Sequence, residues 1–207
     1  YPPTQDDVGV FFASLNRNKR SITLNLKSPE GVAAARRLAA EADVVIESFR
    51  PGVMERLGVG YETLSADHPG LIYAAITGYG QHGPFRDRAG HDLNYMAHAG
   101  LLGQNGEVEA PTVPGFQLAD IAGGSLWAAV GITSALFRRE RTGKGAFLDI
   151  SMTDGALAFA MPMLAVRAAG EPVERAKGML TGGIPAYNVY RTADDRFLAV
   201  GSLEPKF

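Results

Sequence analysis

Three side chains of this sequence could transfer protons, and they lie far apart along the chain. His91 follows a glycine in G-H-D-L-N-Y, within a stretch rich in glycine, proline, histidine and asparagine. Asp120 falls in the first turn of a predicted long helix, where free backbone N–H groups and the helix dipole favour a carboxylate. Glu204 stands in G-S-L-E-P, at the carboxyl end of a predicted strand. Imidazole and carboxylate groups are common general acids and bases, so their convergence would favour proton-transfer chemistry.

Each of these residues also has an ordinary structural role when it is considered singly. An aspartate in the first turn of a helix is more often a cap, and a loop histidine is more often a hydrogen-bonded structural residue. Gly123 and Gly124 follow Asp120 one turn later. Because they remove side-chain bulk, another backbone or a thin ligand arm could approach that face of the helix.

The sequence contains none of the common nucleotide or metal motifs. It has no G-x-G-x-x-G after the first predicted strand, no G-x-x-x-x-G-K-S/T and no H-x-x-x-H pair. It has no cysteine for a disulfide, a thiolate ligand or a nucleophile, which agrees with a cytoplasmic location. The net charge of -2 does not favour nucleic acid, and the longest apolar run, at 155–166, is too short to span a bilayer. We therefore expect no metal or redox cofactor, no nucleic-acid partner and no membrane association.

The hydrophobic pattern predicts an α/β fold built on a parallel sheet. Residues 21–26 alternate as a strand does, and a helix capped by Ser28 should follow over 28–42. The next predicted elements are a strand at 43–48, short helices at 51–57 and 61–66, and a strand at 71–77. Alternating strands and helices form a parallel sheet covered on both faces. Ligands gather at the carboxyl ends of such strands, which are followed in this sequence by E-S-F-R-P-G and T-G-Y-G-Q-H-G-P.

The second half of the chain is predicted to hold long linking helices and a smaller α+β part. The expected elements are a short helix at 93–102, a long helix at 117–139 stopped by Gly143, a strand at 146–150, a helix at 153–168 and a hairpin over 186–201. We divide the chain into an incomplete parallel-sheet domain at 1–116, long helices with a linker at 117–180, and the start of a smaller domain at 181–207. Its opening and closing residues lead us to expect truncation at both ends.

Four parts of the sequence occur in the order and rough spacing of one known family. They are E-S-F-R-P-G-V-M-E-R-L-G, A-G-H-D-L-N-Y, Q-L-A-D-I-A-G-G, and T-G-G-I-P-A-Y-N-V-Y-R-T-A-D with V-G-S-L-E-P-K-F. On these segments the chain resembles the family III CoA-transferases (CaiB/BaiF), and among them the α-methylacyl-CoA racemase-like branch. The resemblance implies a Rossmann-like domain that binds coenzyme A as acyl-CoA substrate, a ring-like interlocked homodimer, and a role in lipid or carnitine metabolism.

The resemblance also implies roles for individual residues. Asp120 falls where the transferases keep a nucleophilic aspartate and the racemases an acid/base aspartate. His91 falls where racemases place an acid/base histidine and many transferases a non-basic residue, and Glu204 falls where racemases keep a carboxylate. The loop at 182–183 has fewer glycines than the lid of formyl-CoA-type transferases, which also favours the racemase. The positions implied for coenzyme A are Lys27, Ser48, Phe49, Arg56, Asp92 and Tyr95.

The function that this resemblance favours is an acyl-CoA racemase or epimerase. Inverting the carbon next to a thioester requires removal of a proton on one face and its return on the other, so an opposed histidine and carboxylate suffice. Backbone N–H groups near the start of the Asp120 helix are expected to stabilise the enolate oxygen. The alternative is a CoA-transferase, in which Asp120 attacks the thioester carbonyl and carries first the acyl group and then CoA. A second alternative is a non-catalytic CoA-binding or dimerisation module.

Overall fold

The computed structural model describes residues 2–204 and 206. Its strands, in chain order, are β1 (Thr4–Gln5), β2 (Val8–Gly9), β3 (Val44–Glu47), β4 (Ile72–Thr77), β5 (Ala146–Ser151), β6 (Tyr187–Arg191) and β7 (Phe197–Gly201). Its α-helices are α1 (Val10–Leu15), α2 (Pro29–Ala40), α3 (Val53–Arg56), α4 (Tyr61–Asp67), α5 (Asp92–His98), α6 (Trp127–Thr142), α7 (Met152–Phe159) and α8 (Met161–Ala168). A 3₁₀ helix spans Leu102–Gln104, and a π-helix spans Ala119–Leu126.

A parallel sheet in the order β3-β4-β5 forms the centre of the molecule. The central strand β4 is an almost continuous apolar run, which is typical of a parallel strand buried on both faces, and Ile72, Tyr73 and Ala74 are buried. The predicted strands at 43–48, 71–77 and 146–150 are confirmed. The strand β5 comes from 117–180, the segment that we predicted to hold long helices and a linker. The sheet therefore contains residues from both sides of the predicted boundary at 116. The division into domains stays a prediction.

Helices cover both faces of this sheet, as predicted. On one face, Tyr73 and Ala75 pack with Ala39 of α2 and Leu64 of α4. On the other face, α6 and the π-helix pack against β4 and β5. Residues of a strand alternate between faces, so one apolar strand supplies the core on both sides.

The predicted strand at 21–26 is wrong. Residues 21–25 form no strand, because they pair with no other strand in the described part of the chain. Ile22 is correspondingly 64% exposed. The helix that follows is confirmed, including its cap: the Gly31 N–H donates to Ser28 Oγ at 3.1 Å, and Pro29 occupies the first turn.

The long helix at 117–139 is confirmed in place but begins with π winding and continues as α6 to Thr142. Gly143 ends it in the left-handed conformation, with φ 67°. The helix predicted at 153–168 is broken in two at Ala160, because Pro162 cannot donate the backbone hydrogen bond that a continuous helix needs. The predicted short helix forms as α5 and the 3₁₀ turn, and the predicted hairpin forms as β6 and β7.

By length and composition alone, one stretch of this structure could cross a membrane. It is the continuous helical segment Ala119–Thr142, of 24 residues. A mostly buried core helix of a soluble protein passes the same test, so this segment is weak evidence of a membrane span. The expectation of no membrane association therefore stays a prediction.

Candidate active site

A cleft of about 860 Å³ opens at the carboxyl ends of β3 and β4, where ligands of parallel sheets bind. Its walls come from the residues after β3, the loop after β4, the start of α5 and the π-helix. The charged or titratable residues that line it include Glu47, Arg50, Arg86, Arg88, His91 and Asp120. Two of the three side chains predicted to transfer protons, His91 and Asp120, thus line one cavity, although 28 residues separate them in sequence.

His91 is held by its backbone and is one of the residues that line the cleft. It is the N-cap of α5, and its backbone N–H donates to Asn94 Oδ1 at 3.0 Å. Tyr95, one turn into the helix, donates its hydroxyl proton to the Gly90 carbonyl at 2.5 Å. A side chain at Gly90 would put a carbon atom 2.6 Å from the Tyr95 ring. The glycine before His91 therefore lets the loop close on the helix that it precedes.

Asp120 lies in the first turn of the π-helix, and its carboxyl group is partly buried. Its backbone N–H donates to Asp92 Oδ1 at 2.9 Å. Burial raises the pKa of the Asp120 carboxyl, and the nearby Asp92 carboxylate raises it further, while His91 acts in the opposite direction. A carboxylate with a raised pKa is a stronger base, so the environment of Asp120 suits proton transfer better than that of a surface aspartate.

Close packing of glycines fixes the position of the π-helix. A side chain at Gly123 would lie 2.6 Å from the Met152 carbonyl oxygen, and one at Gly155 would lie 2.0 Å from the Gly123 carbonyl oxygen. The Ser125 hydroxyl donates to the Asp120 carbonyl, five residues earlier, at 3.1 Å. Gly123 and Gly124 thus serve contact with α7, and isolated π winding of this kind often occurs at functional sites.

The backbone N–H groups that we expected to stabilise an enolate at this helix start are already bonded. The Asp120 N–H donates to Asp92, and the Ile121 N–H donates to the Gln117 carbonyl at 3.3 Å. Neither is available as an oxyanion donor, so that expectation is wrong for these two groups.

The other residues implied by the family resemblance fall in different places. Ser48, Phe49 and Tyr95 line the same cleft as His91 and Asp120. Lys27 and Arg56 line a separate groove of about 980 Å³, which Arg36 and Arg37 also line.

Two implied residues lie outside both cavities. Asp92 contributes its carboxylate to the Asp120 backbone instead of to the lining of the cleft. Glu204 is exposed after β7 and is not among the lining residues of the cleft. The roles given to these positions stay predictions.

Sequence reasoning did not single out four charged residues of the cleft. Glu47 and Arg50 belong to E-S-F-R-P-G, the segment to which the strand-end rule pointed, although neither residue was named as a site residue. Arg86 and Arg88 lie in the loop at 78–116, where no pattern distinguishes them from solvated charges. With Arg50, Arg86 and Arg88 in its lining, the cleft therefore offers several cations for an anionic ligand.

The pKa of the Glu47 carboxyl in this cleft is raised. Burial raises this pKa, a hydrogen bond from the Phe49 backbone N–H lowers it, and the nearby Glu55 carboxylate raises it.

No metal-binding cluster of three or more histidine or acidic side chains occurs in residues 2–204 and 206. The expectation that the protein uses no metal stays a prediction. The described residues do provide the imidazole of His91 and the Asp120 carboxyl group of raised pKa in the lining of one cleft, together with arginines. Such a set can move protons to and from a bound anionic substrate.

Comparison with known proteins points to one family. The model of CoA-transferase family III matches residues 1–207. The chain is 47% identical over 195 residues to the alpha-methylacyl-CoA racemase of Homo sapiens, covering 93% of this chain and 51% of that protein. It is 37% identical over 202 residues to the succinyl-CoA:glutarate CoA-transferase of Mus musculus, covering 97% of this chain and 46% of that protein.

A solved structure has the same fold. The CAIB/BAIF family protein from Brucella suis superposes with a TM-score of 0.83 and 36% identity, over 92% of this chain and 50% of that one. The chain spans about half the length of the relatives that it matches. The family match over the whole chain, the identities and the shared fold agree, and the chain belongs to CoA-transferase family III.

Proposed function

We propose that the full-length protein is an acyl-CoA racemase or epimerase that inverts the carbon next to a CoA thioester. The observation that carries this proposal is that His91 and Asp120 line one cleft at the carboxyl edge of the sheet. Two acid/base groups that face one cavity are what a two-sided proton transfer needs.

In the proposed reaction, one of the two groups removes the α-proton, and the C–H electrons pass into an enolate whose charge rests on the thioester oxygen. The other group then donates a proton to the opposite face of the same carbon. His91 and Asp120 exchange these roles when the reaction runs in the other direction. The raised pKa of Asp120 supports its use as an acid as well as a base, because a carboxyl group of ordinary pKa is almost wholly ionised at neutral pH.

The sequence relatives support the racemase but also leave a defined alternative. The chain is 47% identical to a racemase, and it is 45% identical over 161 residues to an acetyl-CoA:oxalate CoA-transferase of Acetobacter aceti. In the alternative, the Asp120 carboxylate attacks the thioester carbonyl, the C–S bond breaks, and CoA leaves as a thiolate while a mixed anhydride forms on Asp120. The thiolate then attacks the Asp120 carbonyl carbon and releases the donor acid, which leaves a CoA thioester on Asp120. An acceptor carboxylate attacks this thioester and releases the thiolate, which takes the new acyl group from the second anhydride and frees Asp120. The non-catalytic CoA-binding or dimerisation module remains the third candidate.

We also propose that the protein acts as a homodimer. Large apolar side chains are exposed along α1 and along the π-helix and α6: Phe11 is 65% exposed, Phe12 64%, Val130 56% and Phe137 63%. Clusters of exposed apolar side chains of this kind mark association surfaces in soluble proteins. A second copy of the chain is the occupant that the family resemblance implies.

The discriminating experiment uses a 2-methyl-branched acyl-CoA that carries deuterium at the α-carbon. A racemase releases this deuterium into ordinary water without an added acid, and the two epimers approach equal amounts. A transferase retains the deuterium and forms a new thioester only when a carboxylic acid is added. If the full-length protein binds CoA but does neither, the module is the correct function and the proposal fails.

A further inference from the structure

One hydrogen bond joins the two elements that carry the proposed acid/base pair. Asp92 is the residue next to His91 and the first residue of α5. Its Oδ1 accepts the backbone N–H of Asp120, 28 positions later, at a donor–acceptor distance of 2.9 Å in a partly buried setting. A carboxylate at the start of a helix ordinarily caps its own helix or interacts with its own dipole. This one instead satisfies a backbone donor in the first turn of a different helix.

We propose that Asp92 is a positioning residue: its carboxylate fixes the backbone of Asp120 relative to the segment that carries His91. The inference rests on the proposed function only in taking Asp120 as the reactive group, which holds for a racemase and a transferase alike. It differs from the family-based expectation for Asp92, which was contact with coenzyme A.

The geometry supports positioning for two reasons. First, the Asp92 side chain is committed to the Asp120 backbone and is not among the residues lining the cleft. Second, the close backbone contacts of the π-helix run to α7, through Gly123 and Gly155, and its contact with α5 is otherwise the apolar packing of Ala119 on Tyr95 and Met96. The hydrogen bond from Asp120 to Asp92 is therefore the polar contact that ties the backbone of Asp120 to the residue next to His91, beside the apolar packing of Ala119 on α5.

The same contact has an electrostatic consequence. Among the charges near Asp120, Asp92 raises the pKa of the Asp120 carboxyl and His91 lowers it, both after the larger effect of burial. Other titratable or charged groups on the elements around it include Tyr95 and His98 on α5, Glu47 at the end of β3, Arg50 after it, Arg86 and Arg88 in the loop after β4, Asp149 on β5 and Asp154 on α7. Asp92 is the carboxylate among them that is bonded to Asp120 itself.

The test compares Asp92→Asn with Asp92→Ala in the full-length protein. Asparagine keeps an acceptor oxygen but removes the negative charge, whereas alanine removes both. We expect Asp92→Ala to lower kcat by roughly 10- to 100-fold with little change in KM, because displacement of a reactive group by about 1 Å costs on that order. We expect Asp92→Asn to retain most of kcat and to shift the acidic limb of the pH profile of kcat/KM to lower pH, since the pKa of Asp120 falls when a neighbouring anion is removed.

A matched control is Asp195→Asn, which removes one exposed carboxylate in the turn between β6 and β7. Its φ of 60° is one that asparagine tolerates, so neither the pH profile nor kcat should change. If Asp92 bound coenzyme A instead, both Asp92 variants would raise KM and leave kcat and the pH profile unchanged. That result would overturn the inference.

A readout without turnover separates this inference from the proposed function. Amide hydrogen exchange of the peptide containing Asp120, measured by mass spectrometry, should be protected in wild type and in Asp92→Asn and should rise in Asp92→Ala. Unchanged exchange in Asp92→Ala would refute the positioning role even if the protein proved to have neither activity. Conversely, the expected exchange pattern in a protein without α-proton release or acyl transfer would contradict the proposed function alone.

Discussion

Replacing Gly155 with alanine would place a methyl group against the backbone of the helix that carries Asp120. The added carbon would lie 2.0 Å from the Gly123 carbonyl oxygen and 2.7 Å from the Gly123 carbonyl carbon. All of these are backbone atoms, so no side chain can rotate away. Ordinary contact begins at 3.4 Å, so the two helices must separate by about 1.4 Å at this point.

Two effects of this displacement can be estimated. Overpacking of a well-packed contact costs about 1–3 kcal/mol of folding free energy. A shift of about 1 Å in a reactive group costs on the order of 100-fold in rate, and Asp120 lies only three residues before Gly123. We therefore expect Gly155→Ala to lower kcat much more than its loss of stability would by itself, because the folded fraction stays high.

The assay measures both quantities on the full-length protein: urea denaturation for stability, and α-deuterium release for activity. The control is Gly131→Ala in α6, where the added carbon would meet Leu148 Cδ1 at an ordinary 3.5 Å. That change should stabilise the protein by about 0.5–1 kcal/mol, because glycine is a poor residue in a helix interior. If Gly155→Ala behaves like Gly131→Ala, the close crossing of the π-helix and α7 does not position Asp120.

Three further changes test other contacts. Arg139→Ala should cost about 1–3 kcal/mol of stability, because the mostly buried guanidinium donates to a carboxylate and two carbonyls. Its control, Arg36→Ala, breaks an exposed ion pair and should cost less than about 1 kcal/mol in the same urea titration. Tyr95→Phe should lower both stability and kcat, measured by urea denaturation and α-deuterium release, because it removes the 2.5 Å hydrogen bond that holds the loop before His91. Glu47→Gln should make the free energy of unfolding less dependent on pH above 4.5. At neutral pH the variant should have a higher free energy of unfolding than wild type, as measured by urea denaturation at several pH values.

The sign for Glu47 follows from linkage. Its pKa is raised in the folded state, so the folded protein holds this proton more tightly than the unfolded chain, and wild-type stability falls as pH rises from 4.5 through the raised value. An unchanged pH dependence in Glu47→Gln would contradict this. Equal losses in Arg139→Ala and Arg36→Ala, or wild-type kcat in Tyr95→Phe, would contradict the other two predictions.

Local signals made much of the fold predictable. Ser28 and Pro29 mark the start of α2, and Gly143 marks the end of α6, because caps and stop residues act through neighbouring backbone groups. The break at Ala160 was also readable, since Pro162 stands in the sequence. The π winding at Ala119–Leu126 was not, because it depends on the contact with α7 and leaves the hydrophobic pattern of an ordinary helix. The strand predicted at 21–26 does not form. Alternation of polar and apolar residues indicates a segment with two different faces, but a strand also needs a second strand to pair with, and the pattern does not show one.

The candidate site divides in the same way. His91 and Asp120 were identified from family segments, and strand-end reasoning pointed to the loops that form the cleft. The bond from Asp120 to Asp92 could not be foreseen, because it joins two helix starts whose relative placement depends on tertiary packing. For the same reason, the sequence did not distinguish Arg86 and Arg88, which line the cleft, from Lys27 and Arg56, which line a separate groove.

The central claim is that His91 and Asp120 act on opposite faces of one carbon, and stereospecific exchange in heavy water tests it most directly. Each pure epimer of a 2-methyl-branched acyl-CoA is incubated in D₂O with full-length wild type, His91→Ala or Asp120→Asn, and deuterium incorporation is followed by mass spectrometry. We predict that wild type labels both epimers, that His91→Ala labels only the epimer whose α-proton faces Asp120, and that Asp120→Asn labels only the other. Labelling of the same epimer by both variants, or no labelling by wild type, would contradict the account.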